Sequence, residues 1–197
     1  AYFLRAFFYH QLYSLYGRIP LVDHTFDIDS DWVETRADMD DVADFIVKDC
    51  ESAIEKLPLK YESSDDFGRA TRGAAMAVKA RTLLYKASPL FGEPSTEKWQ
   101  EAAKASKDII DLGVYSLPTV SSSEEYAALF YNTQNPEIIF EKLYNNKGTY
   151  GSALHYLFQS PNGPYNGYNG WGVWLPTYDI VNAFQNEDGS KYTVKGL

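Results

Sequence analysis

The sequence predicts a mainly α-helical fold of paired helices, carrying a long irregular insertion rich in aromatics and glycine, with little strand. Three observations predict it. Apolar residues recur at helical spacing through four long stretches of the first 112 residues. Each stretch is bounded by Ser, Thr, Gly or Pro where helices start or stop. Between Gly148 and Tyr178 no Asp, Glu, Lys or Arg occurs, although 23% of the chain is charged.

Residues 1–16 form the first predicted helix, with Phe3, Leu4, Phe7, Phe8, Leu12 and Leu15 as its apolar positions. Gly17 stops it, and Ile19-Pro20-Leu21-Val22 leaves in extended form. Residues 23–34 are an acidic loop. A second helix is expected from Thr35, with Asp38 three residues on as a capping box. Asp40 and Asp41 there suit the positive end of the helix dipole. Met39, Val42, Phe45, Ile46, Cys50, Ala53, Ile54 and Leu57 make its apolar stripe, and Pro58 ends it.

After a polar loop at 59–68, Thr71 caps a third helix that runs to about Ala87. Ala70, Gly73, Ala74, Ala75, Ala77 and Ala80 make this helix small-surfaced, so another helix can approach closely. Ser88-Pro89 closes it. A fourth helix spans Thr96 to Leu112, with Trp99, Ala102, Ala103, Ile109 and Ile110 on one face and Gly113 as its cap. A shorter helix begins at Ser122, where Glu125 completes a capping box. Ile138-Ile139-Phe140 reads as a short strand. Pro176-Thr177 opens a last helix through Phe184, before an Asp188-Gly189 turn.

Helix pairs with a period of about 34 residues mark tetratricopeptide repeats. Ala80, Leu84 and Ala87 followed by Pro89 imitate the second half of such a repeat, and Trp99 with Ala102-Ala103 imitates the first. The loops are too irregular for a regular array, so the expectation is a tetratricopeptide-like scaffold over 1–130 and an aromatic segment over 144–178. The chain opens already in helical pattern and stops at Lys195-Gly196-Leu197. Residues 1–197 are therefore read as an internal fragment of one domain.

A formal net charge of −9 and a pI near 4.8 argue against nucleic acid, whose phosphates call for clustered Lys and Arg, and against docking on anionic lipid. No apolar run reaches the ~20 residues of a membrane helix. Cys50 is the only cysteine, so there is no internal disulfide framework, and it reads as a small buried apolar residue. His10, His24 and His155 show no metal-ligand spacing. Asp27, Asp29 and Asp31 imitate the start of a calcium loop, but Trp32 stands where the turn requires Gly. No metal or cofactor is expected.

The sequence lacks a G-x-S-x-G elbow and a P-loop. A glycosidase needs two carboxylates across a cleft. The aromatic segment carries none, and its nearest acids are Glu141, Asp179 and the Glu187-Asp188 turn. The segment itself suits uncharged polyhydroxylated ligands, whose C–H faces stack on aromatic rings and whose hydroxyls pair with amides. Trp171, Tyr168, Tyr165 and Trp174 are the candidate rings, and Asn166 and Asn169 the candidate amides. The Gly and Asn between them permit tight turns that present successive rings. The same rings also suit packing of the segment onto its scaffold, or contact with a partner protein. Trp174, beside Leu175-Pro176, leans towards structure, as do Tyr150, Tyr156 and Phe158.

Several segments, in order, resemble the SusD/RagB family. Leu4-Arg5-Ala6-Phe7-Phe8-Tyr9 leads to the Tyr16-Gly17-Arg18-Ile19-Pro20-Leu21 exit. Asp41-Val42, Phe45-Ile46, Asp49, Ala53 and Leu57-Pro58 follow. The most specific piece runs from Gly68-Arg69-Ala70-Thr71-Arg72-Gly73-Ala74-Ala75 through Lys79-Ala80-Arg81 to Tyr85-Lys86-Ala87-Ser88-Pro89-Leu90. Trp99, Ala102-Ala103 and the Gly113-to-Leu117 exit fit the same pattern. So do Glu137-Ile138-Ile139-Phe140 and Pro176-Thr177 through Val181, Ala183-Phe184 and Asp188-Gly189.

The resemblance implies a non-catalytic, surface-exposed outer-membrane lipoprotein of the Bacteroidetes. Such proteins bind an oligosaccharide or polysaccharide and pass it to a SusC-like TonB-dependent transporter. It also implies a lipid anchor outside this sequence, since Cys50 sits mid-helix. Two alternatives stand beside it. One is a tetratricopeptide-like protein-interaction scaffold whose aromatic loop contacts the transporter. The other is a glycoside hydrolase.

Overall fold

Each of the four long helices packs on the next, so the scaffold grows by neighbour contact rather than around one central core. In the computed structural model the described residues are 1–30, 33–132, 135–143, 164–165, 168–169 and 177–191. They fall into two units, Ala1–Lys142 and Leu143–Leu197. The first holds α1 (Tyr2–Tyr16), α2 (Met39–Lys56), α3 (Arg72–Ala87), α4 (Thr96–Asp111) and α5 (Ser123–Leu129). α1 packs on α2, α2 on α3 and α3 on α4, with a smaller contact between α1 and α3.

α1 ends at Gly17, whose N–H donates to Tyr13 O at 2.9 Å and whose φ is +64°. A Cβ there would be strained, and would sit 2.9 Å from Met39 Cε. The buried side of α1 is Phe3, Ala6, His10 and Tyr13. Phe3 and Phe7 face the core as expected, but Leu4, Phe8, Leu12 and Leu15 are exposed, which corrects the predicted stripe. Apolar residues occupy both sides of this helix, so their spacing could not choose between them. Ala6 lets α2 approach, and His10 finds a polar partner in α3.

α2 begins at Met39, four residues later than expected from Thr35. Asp38 is extended and its side chain makes no cap bond, because its carboxylate lies 2.8 Å from Arg18 Nη2. Ala37 N–H donates to Ile19 O at 3.0 Å, which holds the approach to α2 against the exit from α1. The rest of the α2 stripe is as predicted. Val42, Ile46, Cys50 and Ala53 are buried, and the first three form the main core with Tyr13, Ile19 and Phe91. Burying Val42 and Ile46 in full contributes about 1.5–3 kcal/mol each.

α3 is capped by Thr71, whose Oγ1 accepts from Ala74 N at 3.3 Å. Its small residues do what their size predicts. Ala74 and Ala75 join Phe3 and Ala53 in one cluster, and Ala80 and Leu83 meet Ala102 and Ala105 of α4 in another. On α4, Trp99, Ala103 and Ile110 face outward rather than inward, because α3 meets the Ala102–Ala105 side.

α5 has the expected Ser122 cap, with Glu125 N–H donating to its Oγ at 3.1 Å. The Glu125 carboxylate reaches back to Ser121 N–H at 2.7 Å, one residue before the usual position. Ile138-Ile139-Phe140 is not a strand. Asn135 folds the chain there into a turn, and the Phe140 ring packs edge-on to Phe3 at 5.3 Å and Phe7 at 6.2 Å.

The second unit contains β1 (Pro164–Tyr165), β2 (Tyr168–Asn169) and α6 (Tyr178–Ala183). Thr177 caps α6 through Ile180 N–H at 3.4 Å. The turn at Asp188-Gly189 is closed by an antiparallel bridge between Gln185 and Lys191, with Gly189 at φ +77°.

Candidate functional site

Two regions carry ligand-type chemistry. The first is the aromatic segment. Its described part is a two-stranded antiparallel ladder in which Tyr165 pairs with Tyr168 and Pro164 with Asn169. The backbone thus brings together three of the residues singled out from sequence: Tyr165, Tyr168 and Asn169. Asn166, Trp171 and Trp174 lie outside the described residues, as do Tyr150, Tyr156 and Phe158.

The second region is a cleft of about 530 Å³ in the first unit, and sequence reasoning did not find it. One wall is the loop between α2 and α3, with Tyr61, Phe67 and Arg69. The other is the chain on either side of α5, with Tyr115, Phe140 and Glu141. These residues stand up to eighty positions apart, so only the helix packing brings them together.

Specific bonds hold each wall. Tyr61 Oη donates to Ala70 O at 3.1 Å, which folds the loop onto the start of α3. Tyr115 Oη lies 3.3 Å from Thr71 Oγ1, the atom that caps α3. Asn135 is buried and spends both ends of its amide: Nδ2 donates to Leu129 O at 3.1 Å and Oδ1 accepts from Glu137 N at 2.8 Å. Ser116 N–H donates to Pro136 O at 3.2 Å, which ties the two strips of the second wall together.

Charge in the cleft is mixed. Arg69 Nε is 2.7 Å from Asp66 Oδ1, an ion pair that leaves Arg69 largely exposed. Lys60 and Glu62 also line it. Glu141 Oε1 is shielded from solvent and has no hydrogen-bond partner among the described residues. The sequence named Glu141 only as one of the acids near the aromatic segment. Its place among four rings is a property of the fold.

Residues 1–84 match the family model for SusD-like proteins described as starch-binding and associating with the outer membrane. The fold is similar to that of a SusD-like protein from Bacteroides fragilis, 32% identical with a TM-score of 0.79, over 98% of this chain and 36% of that one. A SusD-like carbohydrate-binding protein from the same species is 25% identical with a TM-score of 0.75, over 99% of this chain and 35% of that one. A structure with xylogluco-oligosaccharide shares the fold at 21% identity and a TM-score of 0.72, over 99% of this chain and 43% of that one. The chain therefore spans about a third of the length of the two Bacteroides fragilis proteins. No protein of curated function matches it.

Proposed function

We propose that this chain, which belongs to the SusD/RagB family, is part of a non-catalytic glycan-binding protein at the cell surface. The observation that carries the reading is the uncharged aromatic, Asn- and Gly-rich run on a SusD-like scaffold, with Tyr165 paired to Tyr168 across a short ladder. The starch-binding description of the matched family model and the carbohydrate-binding relative support it.

The mechanism is capture. Rings at Tyr165, Tyr168, Trp171 and Trp174 stack on the C–H faces of pyranose units, and the amides of Asn166 and Asn169 read the hydroxyl positions. The ligand then passes to a SusC-like TonB-dependent transporter in the outer membrane, and a lipid anchor outside this sequence holds the protein there. An exposed platform recovers little apolar area, so single-site affinity is modest.

Calorimetric titration of the full-length protein with a glycan panel tests this reading. Trp171→Ala and Tyr168→Ala are each expected to weaken binding by about 1–3 kcal/mol. Unchanged affinity in both places the binding elsewhere. Loss of transporter co-purification with glycan affinity intact makes the segment a transporter contact instead. Release of reducing sugar revives the hydrolase alternative.

A further inference from the structure

α1 is apolar on two opposite sides, and only one of them has a neighbour among the described residues. At about 100° per residue, Leu4, Phe8, Leu12 and Leu15 fall within about 80° of the helix circumference. They lie opposite the side formed by Phe3, Ala6, His10 and Tyr13, which packs on α2 and α3. The four side chains are between 44% and 73% exposed.

A helix that faces water carries charge on that side. α4 does, through the exposed pairs Lys104–Asp108 and Lys107–Asp111. α1 does not. Arg5 is its only Asp, Glu, Lys or Arg, and that guanidinium is bound to Asp49 of α2. Among the exposed residues of α1, Gln11 alone is neither aliphatic nor aromatic. A helix that is apolar all round belongs in an interior.

The order of the stack identifies the occupant. α2, α3 and α4 each pack on the helix that precedes them in sequence. The vacant side of α1 continues the same stack by one helix. An end of a helical stack that met water would present a polar capping face, which this side lacks. The length is there to supply a neighbour, since this chain covers 36% of the first Bacteroides fragilis relative. A second copy fits less well. A standard interface takes roughly 800 Å² from each partner, more than these four part-exposed side chains present.

We infer that the Leu4–Phe8–Leu12–Leu15 side of α1 is covered by an amphipathic helix of the same polypeptide that precedes residue 1. To span these residues it runs for about three turns, with its own apolar stripe set between theirs. α1 is then an interior helix, and the stack extends beyond it. The inference does not depend on glycan binding or on the aromatic segment.

The test uses full-length protein with p-benzoylphenylalanine in place of Phe8, irradiated after purification. Digestion and mass spectrometry are expected to find a cross-link within one polypeptide, to a residue that precedes residue 1. A second variant guards against disturbance by the bulky probe. Leu12→Cys in full-length protein is expected to react with maleimide at least about tenfold more slowly than Lys104→Cys on α4, because a covered helix face is reached only by local opening. The natural Cys50 is buried and serves as the unreactive background. A cross-link between two copies overturns the assignment and makes this side a dimer contact. A cross-link only to residues 1–197 or to residues beyond them overturns it in favour of another segment. No cross-link, or equal labelling of the two cysteines, overturns it by leaving this side of α1 in water.

Discussion

Arg5 grips Asp49 with two parallel donors, Nε at 2.6 Å from Oδ2 and Nη2 at 2.8 Å from Oδ1. The pair joins α1 to α2. The guanidinium also lies over the Phe45 ring, 4.8 Å from its centroid. Asp49 is only 3% exposed, so its charge depends on Arg5. Hydrogen bonding to Asp49 raises the Arg5 pKa further above its already high value, so the guanidinium stays charged at any working pH. Removing Arg5 leaves a buried carboxylate without its partner. Arg5 itself is partly exposed, so water relieves some of the cost. Arg5→Ala is expected to lower stability by about 2 kcal/mol in denaturant titration. Arg5→Lys restores little, because a single ammonium cannot reproduce the two-donor fork.

Tyr13 makes a prediction of opposite sign. It is fully buried, and its hydroxyl has no partner among the described residues. Burial pushes its pKa up, so it stays neutral. Its ring packs on Phe91 with centroids 4.8 Å apart, a contact that Phe keeps. Tyr13→Phe is therefore expected to raise stability by about 1 kcal/mol, read as a higher melting temperature.

Cys50 also sits in this core, fully buried on α2. Burial, and then the neighbouring Asp49, push its thiol up to about 12. Thiolate is the reactive form, so a colorimetric disulfide reagent is expected to leave Cys50 unmodified in native protein and to label it fully in denaturant. Rapid labelling under native conditions would show that α2 opens locally.

Much of this fold is legible because its signals are local. Thr71, Ser122 and Thr177 each cap the helix that the sequence assigned to them, since capping involves residues three apart. The α2 stripe is legible because only one of its faces is apolar. On α1 both faces are, and the choice is made by Ala6 and by His10 meeting Thr82, seventy-two positions away. The start of α2 misled because Asp38 is engaged by Arg18, a tertiary partner. Tyr165 and Tyr168 were named from a short motif, and their pairing needs no distant residue. The cleft had no such motif. Glu141, Tyr115 and Tyr61 belong to one site only after α3 and α4 have packed.

His10 gives a pH dependence. Its Nδ1 is 3.0 Å from Thr82 Oγ1, and the Thr82 hydroxyl donates to Val78 O at 2.8 Å. That hydroxyl proton is committed, so Nδ1 must carry the hydrogen and donate to Oγ1. Burial, and then the charge of Arg81, lower the His10 pKa below its ordinary value near 6.5. The unfolded chain therefore binds this proton more readily than the native one. The contribution is fully present above the unfolded pKa and is lost as pH falls from about 6.5 towards the native value. In His10→Asn the amide nitrogen takes the place of Nδ1 and does not titrate. The stability advantage of the natural protein over this variant is expected to shrink between pH 7.5 and 5 in parallel denaturant titrations. A constant difference across that range would contradict the assignment.

Gly73 links helix stability to the shape of the cleft. It lies in the first turn of α3, where Ala is normally favoured over Gly by up to about 1 kcal/mol. A Cβ on Gly73 would come within 2.1 Å of Tyr115 Oη and 2.7 Å of its Cζ. No real contact is that short, so the Tyr115 ring must move and its bond to Thr71 must break. Overpacking of this kind costs about 1–3 kcal/mol, which exceeds the gain in helix propensity. Gly73→Ala is accordingly expected to destabilise by about 1 kcal/mol net, whereas the same change on a Tyr115→Ala background is expected to be neutral or stabilising. A double-mutant cycle by thermal unfolding measures the difference, and additive effects would mean that Tyr115 does not rest against α3.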